Sequence, residues 1–90
     1  MGKKLINVVV FDVEGNVNRM TLNPKGSVLK QLQGLVGGLI ECIGPRMAPF
    51  LKKGDVLVVN ETGKLINLKP NPAFTNLVGN VVLMRYDDIP

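Results

Sequence analysis

A chain of 90 residues, 46% of them hydrophobic and 4% aromatic, carries a formal net charge of +4 and contains no histidine. That length makes one domain. With a single cysteine, Cys42, and no histidine, an intramolecular disulfide, His/Cys metal sites and Ser-His or Cys-His nucleophilic pairs are excluded.

The N-terminal stretch has two lysines and then too few apolar residues before Asp12 to serve as a signal peptide. Met1-Gly2 is followed by Ile6 where a myristoylation signal wants Ser or Thr. No apolar run approaches the roughly 18 residues of a membrane span. These features point to a cytoplasmic protein with no membrane partner, and the cysteine usage agrees.

Leu5 to Val13 is rich in β-branched residues and ends at the turn signal Glu14-Gly15-Asn16, so it is expected to pair with a strand over Val17 to Leu22. Asn23-Pro24-Lys25-Gly26 breaks the chain. Ser27 is then a good N-cap, and Val28, Leu29, Leu32, Leu35 and Val36 share one helical face, with Lys30, Gln31 and Gln33 on the other side. Gly37-Gly38 ends the helix.

Leu39 to Ile43 reads as a strand with Cys42 as a small core residue, and Arg46 to Lys53 as a loop or short turn. Val56 to Val59 and Lys64 to Leu68 flank a Glu61-Thr62-Gly63 turn as a second hairpin. Pro72 to Leu77 reads as one helical turn capped by Asn71, and Asn80 to Tyr86 as the last strand. The expected fold is α+β: one main helix on an antiparallel, partly curled sheet of about six strands, in the order β-β-α-β-β-β-β. So much aliphatic surface on a body that buries roughly 60–65% of its unfolded area points to a homo-oligomer.

Two passages carry a resemblance. The first is Leu35-Val36-Gly37-Gly38-Leu39-Ile40-Glu41, a glycine pair followed by an acid. The second is Val59-Asn60-Glu61-Thr62-Gly63-Lys64-Leu65, followed by Leu68-Lys69-Pro70-Asn71 and Val78-Gly79-Asn80-Val81-Val82. From about Ser27 to Arg85 the chain resembles a family of short proteins from bacteriophages and mobile elements that carries the label "domain of unknown function". The resemblance implies a small accessory protein and supplies no catalytic residue.

The residues leave a binding site as the main chemical option. Glu41 follows the glycine pair inside an apolar strand, where Gly37 and Gly38 would let a ligand approach the backbone. Against that stands a plain solvent-facing strand residue. Nine asparagines are many for this length, and Asn16, Asn23, Asn76 and Asn80 suit turns. Asn60, Asn67 and Asn71 bracket the expected hairpin and its Pro70/Pro72 corner. Their amides suit either turn hydrogen bonds or the edge of a neutral heterocycle. Lys69 beside them could meet a phosphate.

Gly37, Gly38, Glu41, Asn60, Glu61, Asn67, Lys69 and Asn71 thus form the candidate ligand-binding set, suited to a small nucleotide-like anion. No cofactor and no catalytic residue is expected. The first functional expectation is a non-enzymatic anti-defence protein that sequesters a nucleotide-derived immune signal or a host defence component. The other expectations are a nucleic-acid-binding accessory protein, weakened by scattered aromatics, and a protein-interaction or regulatory module using an exposed strand edge. The lysines and arginines are scattered, and a solvated basic surface is their ordinary reading.

Overall fold

A computed structural model describes residues 5–90; Met1-Gly2 and the Lys3-Lys4 pair lie outside the described residues. Five strands and one α-helix follow in the order β1 (Ile6–Phe11), β2 (Val17–Leu22), α1 (Val28–Val36), β3 (Ile40–Ile43), β4 (Asp55–Asn60) and β5 (Val81–Arg85), with a short 3-10 turn at Tyr86–Asp88. The strands form one open antiparallel sheet in the order β2-β1-β5-β4-β3. The architecture is α+β.

The β1–β2 turn is held by Asp12. Its carboxylate accepts from the N–H of Glu14 (3.0 Å) and of Asn16 (2.9 Å) and from the Asn16 side chain (3.1 Å). These donors, the Asn16 N–H foremost, lower the carboxyl below its ordinary range. A lowered native value stabilises the fold above the ordinary aspartate pKa of about 3.9 and ceases to do so as pH falls through the native value. Asp12→Ala is therefore expected to lower the Tm at neutral pH and to flatten its fall in acid. Tm–pH curves that run parallel for the two proteins would contradict this.

The helix begins at Ser27, whose hydroxyl accepts from the Lys30 N–H (3.1 Å). It ends at Gly37, which takes the left-handed conformation (φ 80°). The N–H groups of Gly37 and Gly38 both return to the Gln33 carbonyl (2.8 and 3.1 Å). Leu32 and Val36 are buried, Val28 and Leu35 half-buried, against Ile6, Val8, Val10, Val56, Val58, Val82 and Met84 on one face of the sheet. Leu29 points outward.

Strand β4 is an interior strand covered on both faces, which is why Val56 to Val59 is a continuous apolar run without polar alternation. On the face away from the helix, Leu57, Val59 and Val81 form a second buried cluster. Leu51, Phe74 and Leu77, from the connections on either side of β4, pack against it.

The sheet has five strands, not six. Residues 61–67, expected in part as a strand, form consecutive turns. Asn60 captures the N–H of Thr62 (2.9 Å), the Gly63 N–H returns to the Asn60 carbonyl (3.2 Å), and Leu68 N–H bonds Gly63 O (3.0 Å). Strand β4 already has β5 and β3 as neighbours, so a hairpin partner after it has no place and local bonding wins; Leu65 and Ile66 remain 83% and 55% exposed. Residues 72–76 are likewise turns rather than a helical turn, although Asn71 does accept from the Ala73 N–H (2.9 Å) as a cap would. Cys42 is exposed rather than a core residue, because β3 is an edge strand.

Candidate functional site

The loops that cover the helix-free face touch one another yet leave part of that face open. Three connections rise around β3 and β4. The first, residues 44–54, is wound by Met47 and Ala48 N–H groups bonding Gly44 O (3.1 and 3.0 Å) and by Leu51 N–H bonding Ala48 O (2.9 Å). The second is the 61–67 turn. The third, residues 69–79, is tied at its neck by Asn71 N–H to Leu77 O (2.9 Å) and Gly79 N–H to Lys69 O (2.7 Å). Between them lies an open groove of about 770 Å³.

Its floor is Leu57, Val59 and Ile43. An aromatic wall stands on one side: Phe74 is edge-on to Phe11 (centroids 5.0 Å, 85° between planes) and stacked with Phe50 (5.9 Å, 30°). Met47, Phe50 and Leu65 line it and are strongly exposed, at 75%, 67% and 83%. Exposed apolar groups gathered around one concavity mark a contact site more often than single exposed leucines do. The groove's ionisable side chains are Glu41, Glu61 and Lys64, two carboxylates against one ammonium.

Three of the eight expected site residues, Glu41, Asn60 and Glu61, line this groove. Glu41 pairs with Val59 across the ladder. Glu61, one step past β4, still donates its N–H to Leu39 O (2.8 Å). Asn60 is 5% exposed and spends its amide inside the fold, with Nδ2 donating to Val36 O (3.1 Å) and Oδ1 accepting from Thr62. Asn80 does the same for the neighbouring helix carbonyl, Leu35 O (3.0 Å). One asparagine at the end of β4 and one just before β5 thus satisfy carbonyls that the end of a helix leaves without intrahelical partners.

The other five stand outside the lining. Gly37 is the helix end, and Gly38 lies against Asn60: a Cβ there would sit 2.8 Å from Asn60 Nδ2. Asn67 turns the chain in the left-handed region (φ 57°) and Lys69 is exposed. Asn71 is buried and fully engaged with backbone groups. Gly38→Ala is accordingly expected to push Asn60 off the helix end and lower stability by about 1–3 kcal/mol. An unchanged midpoint in urea unfolding would refute it.

Sequence reasoning missed Met47, Phe50, Lys64, Leu65 and Phe74. The signal was there in Met47-Ala48-Pro49-Phe50-Leu51, an apolar run inside a segment expected to be a loop.

Cys42 belongs to the opposite face of β3, and partial desolvation, with the Glu41 charge beside it, pushes its thiol up, so it stays protonated at neutral pH. Among the described residues no three His, Cys, Asp or Glu side chains gather to hold a metal ion, and no helix is long and apolar enough to cross a membrane.

The family described as a domain of unknown function (DUF3846) matches residues 6–89. The chain belongs to that family. The match takes in all five strands, the helix and every residue of the groove, including the first hairpin. No curated protein and no solved structure is similar enough to the chain to count as a match.

Proposed function

We propose that this protein is a non-enzymatic binding module that holds a segment of a polypeptide partner in the groove over β3 and β4. The observation that carries the reading is the groove's composition: an apolar floor, an aromatic wall and exposed Met47, Phe50 and Leu65 around it. Between the two partner classes expected from the sequence, a nucleotide-like anion and a host defence protein, the groove's charges favour the protein. Glu41 and Glu61 repel phosphate, and Lys64 alone offsets them. The anti-defence role rests on the family resemblance; in this reading it takes the form of capturing a host protein. The same carboxylates disfavour nucleic acid.

Self-association is part of the proposal, through the β2 edge on the other side of the sheet, where Val17 (58%) and Met20 (36%) are exposed. A sedimentation mass of one chain at micromolar concentration would remove it.

The test of the binding reading uses peptides selected from a displayed random library. Bound peptide is expected to shift the methyl resonances of Ile43, Leu57, Val59 and Leu77. Phe50→Ala and Met47→Ala, both at exposed positions, are each expected to weaken binding about tenfold; Met47→Ala should leave the Tm unchanged, and Phe50→Ala, which also gives up its stack on Phe74, should lower it only slightly. Full affinity in both variants, or shifts confined to the helix face, would place the site elsewhere. Shifts of the same methyls by a cyclic dinucleotide and by no peptide would favour the nucleotide reading instead.

A further inference from the structure

Resting on that polypeptide reading, we propose that β3 accepts the partner as an added antiparallel or parallel strand, and that Glu41 and Glu61 select a Lys or Arg on the strand's groove side. Strand β3 ends the sheet, and among the described residues nothing pairs with its outer edge. In an antiparallel ladder, successive residues alternate between bonding the neighbour and facing away. Leu39 O accepts from Glu61 N–H, and the register pairs Glu41 with Val59 and Ile43 with Leu57. Leu39, Glu41 and Ile43 therefore spend their backbone groups on β4, and the N–H and C=O groups of Ile40 and Cys42 face outward. An extended peptide can take up those four groups as a next strand.

The same alternation sorts the side chains. Ile40 and Cys42 share the helix side, and Glu41 and Ile43 share the groove side. Every second residue of an added strand then lies beside Glu41 and Ile43, over the groove. Opposite charges on adjacent strands attract and like charges repel. A basic residue there meets Glu41 directly and has Glu61 farther along the same side, and an aliphatic neighbour two positions away packs beside Ile43. Natural edge strands are commonly guarded by Lys, Pro or bulges. Ile40–Ile43 contains no Lys or Pro, and its one charge is the carboxylate that would do the selecting. The other edge, β2, borders only a smaller hollow of about 360 Å³, whose one charged lining residue is Arg19, so it lacks the carboxylates that would select a basic strand.

The probe is a synthetic peptide of alternating Lys and Val, with two controls: Glu in place of Lys, and N-methylation of every second amide. The alternating Lys/Val peptide is expected to bind with the groove methyl shifts described above. The Glu version is expected to bind at least about tenfold more weakly, and the N-methylated version on the hydrogen-bonding amides not at all. Glu41→Lys is expected to reverse the preference towards the Glu peptide. Cys42→Pro removes only an outward-facing N–H, a change edge strands accept, so it should abolish strand addition while the fold persists. If this variant does not fold, the N-methylated peptide carries the same test.

Peptides that occupy the groove with no sensitivity to charge or N-methylation would overturn this inference and leave the polypeptide site standing. Absence of any peptide binding would overturn both. A dimer that dissociates on Cys42→Pro would assign the edge to a second copy of the chain and also overturn it.

Discussion

Replacing Asn71 by alanine is expected to cost about 2–4 kcal/mol, a large share of the roughly 5–13 kcal/mol that holds a domain of this size together. The residue is 4% exposed. Its Nδ2 donates to Phe11 O and Gly79 O, both at 2.9 Å, and its Oδ1 accepts from Ala73 N–H at 2.9 Å. One side chain thus joins the end of β1, the approach to β5 and the 69–79 loop that carries Phe74. Alanine would strand the two carbonyls and the N–H in a site with little access to water, and a stranded buried group loses more than the hydrogen bond itself. At about 4–8 °C per kcal/mol for a domain this small, the melting temperature should fall by about 10–25 °C. A loss below about 0.5 kcal/mol in urea unfolding would show that the knot is dispensable. Lys69→Ala, two residues away and exposed, should leave the melting temperature where it is. That contrast separates a structural asparagine from a neighbouring surface cation, which sequence spacing alone had grouped.

The second large effect is expected at the helix. Leu32→Ala should destabilise by about 2–5 kcal/mol, while Leu29→Ala, on the same apolar stripe of the sequence, should cost less than about 1 kcal/mol. Leu32 is fully buried and Leu29 is 40% exposed. Leu32 and Val36 are the helix's buried residues, so truncating Leu32 removes much of its hold on Val58 and Val82 and leaves a cavity the rigid sheet cannot close. The measurement is the urea midpoint of both variants. Equal losses would mean that the helix packs differently from the arrangement described here. Groove binding should persist in the Leu29 variant, because α1 lies on the opposite face.

Ser27 and Gly37 announce the helix ends in the sequence, and both serve in the structure through local bonds that depend on little else. The β1–β2 hairpin is legible for the same reason, since Glu14-Gly15-Asn16 sets a turn between two β-branched runs. Lys64 to Leu68 misleads because its apolar residues look like a strand until β4 is seen to have both its neighbours, β5 and β3, already. Asn60 and Asn71 look like ligand groups because an amide has the same donors and acceptors whether it faces a heterocycle or a backbone. Burial alone distinguishes the two uses, and burial is not a local property.

The residues by themselves determined the α+β class, the single helix with its limits, the first hairpin and the exclusion of histidine-based pairs, because each follows from nearest-neighbour spacing or from composition. The strand order β2-β1-β5-β4-β3, the exposure of Cys42 on an edge and the meeting of Glu41, Glu61, Phe50, Phe74 and Leu65 around one groove were decided only in the tertiary structure. Those facts depend on which strand lies beside which and on how three loops, distant in sequence, come together over the sheet. Pairings of that kind are chosen by the summed burial of the whole chain, which no short segment contains.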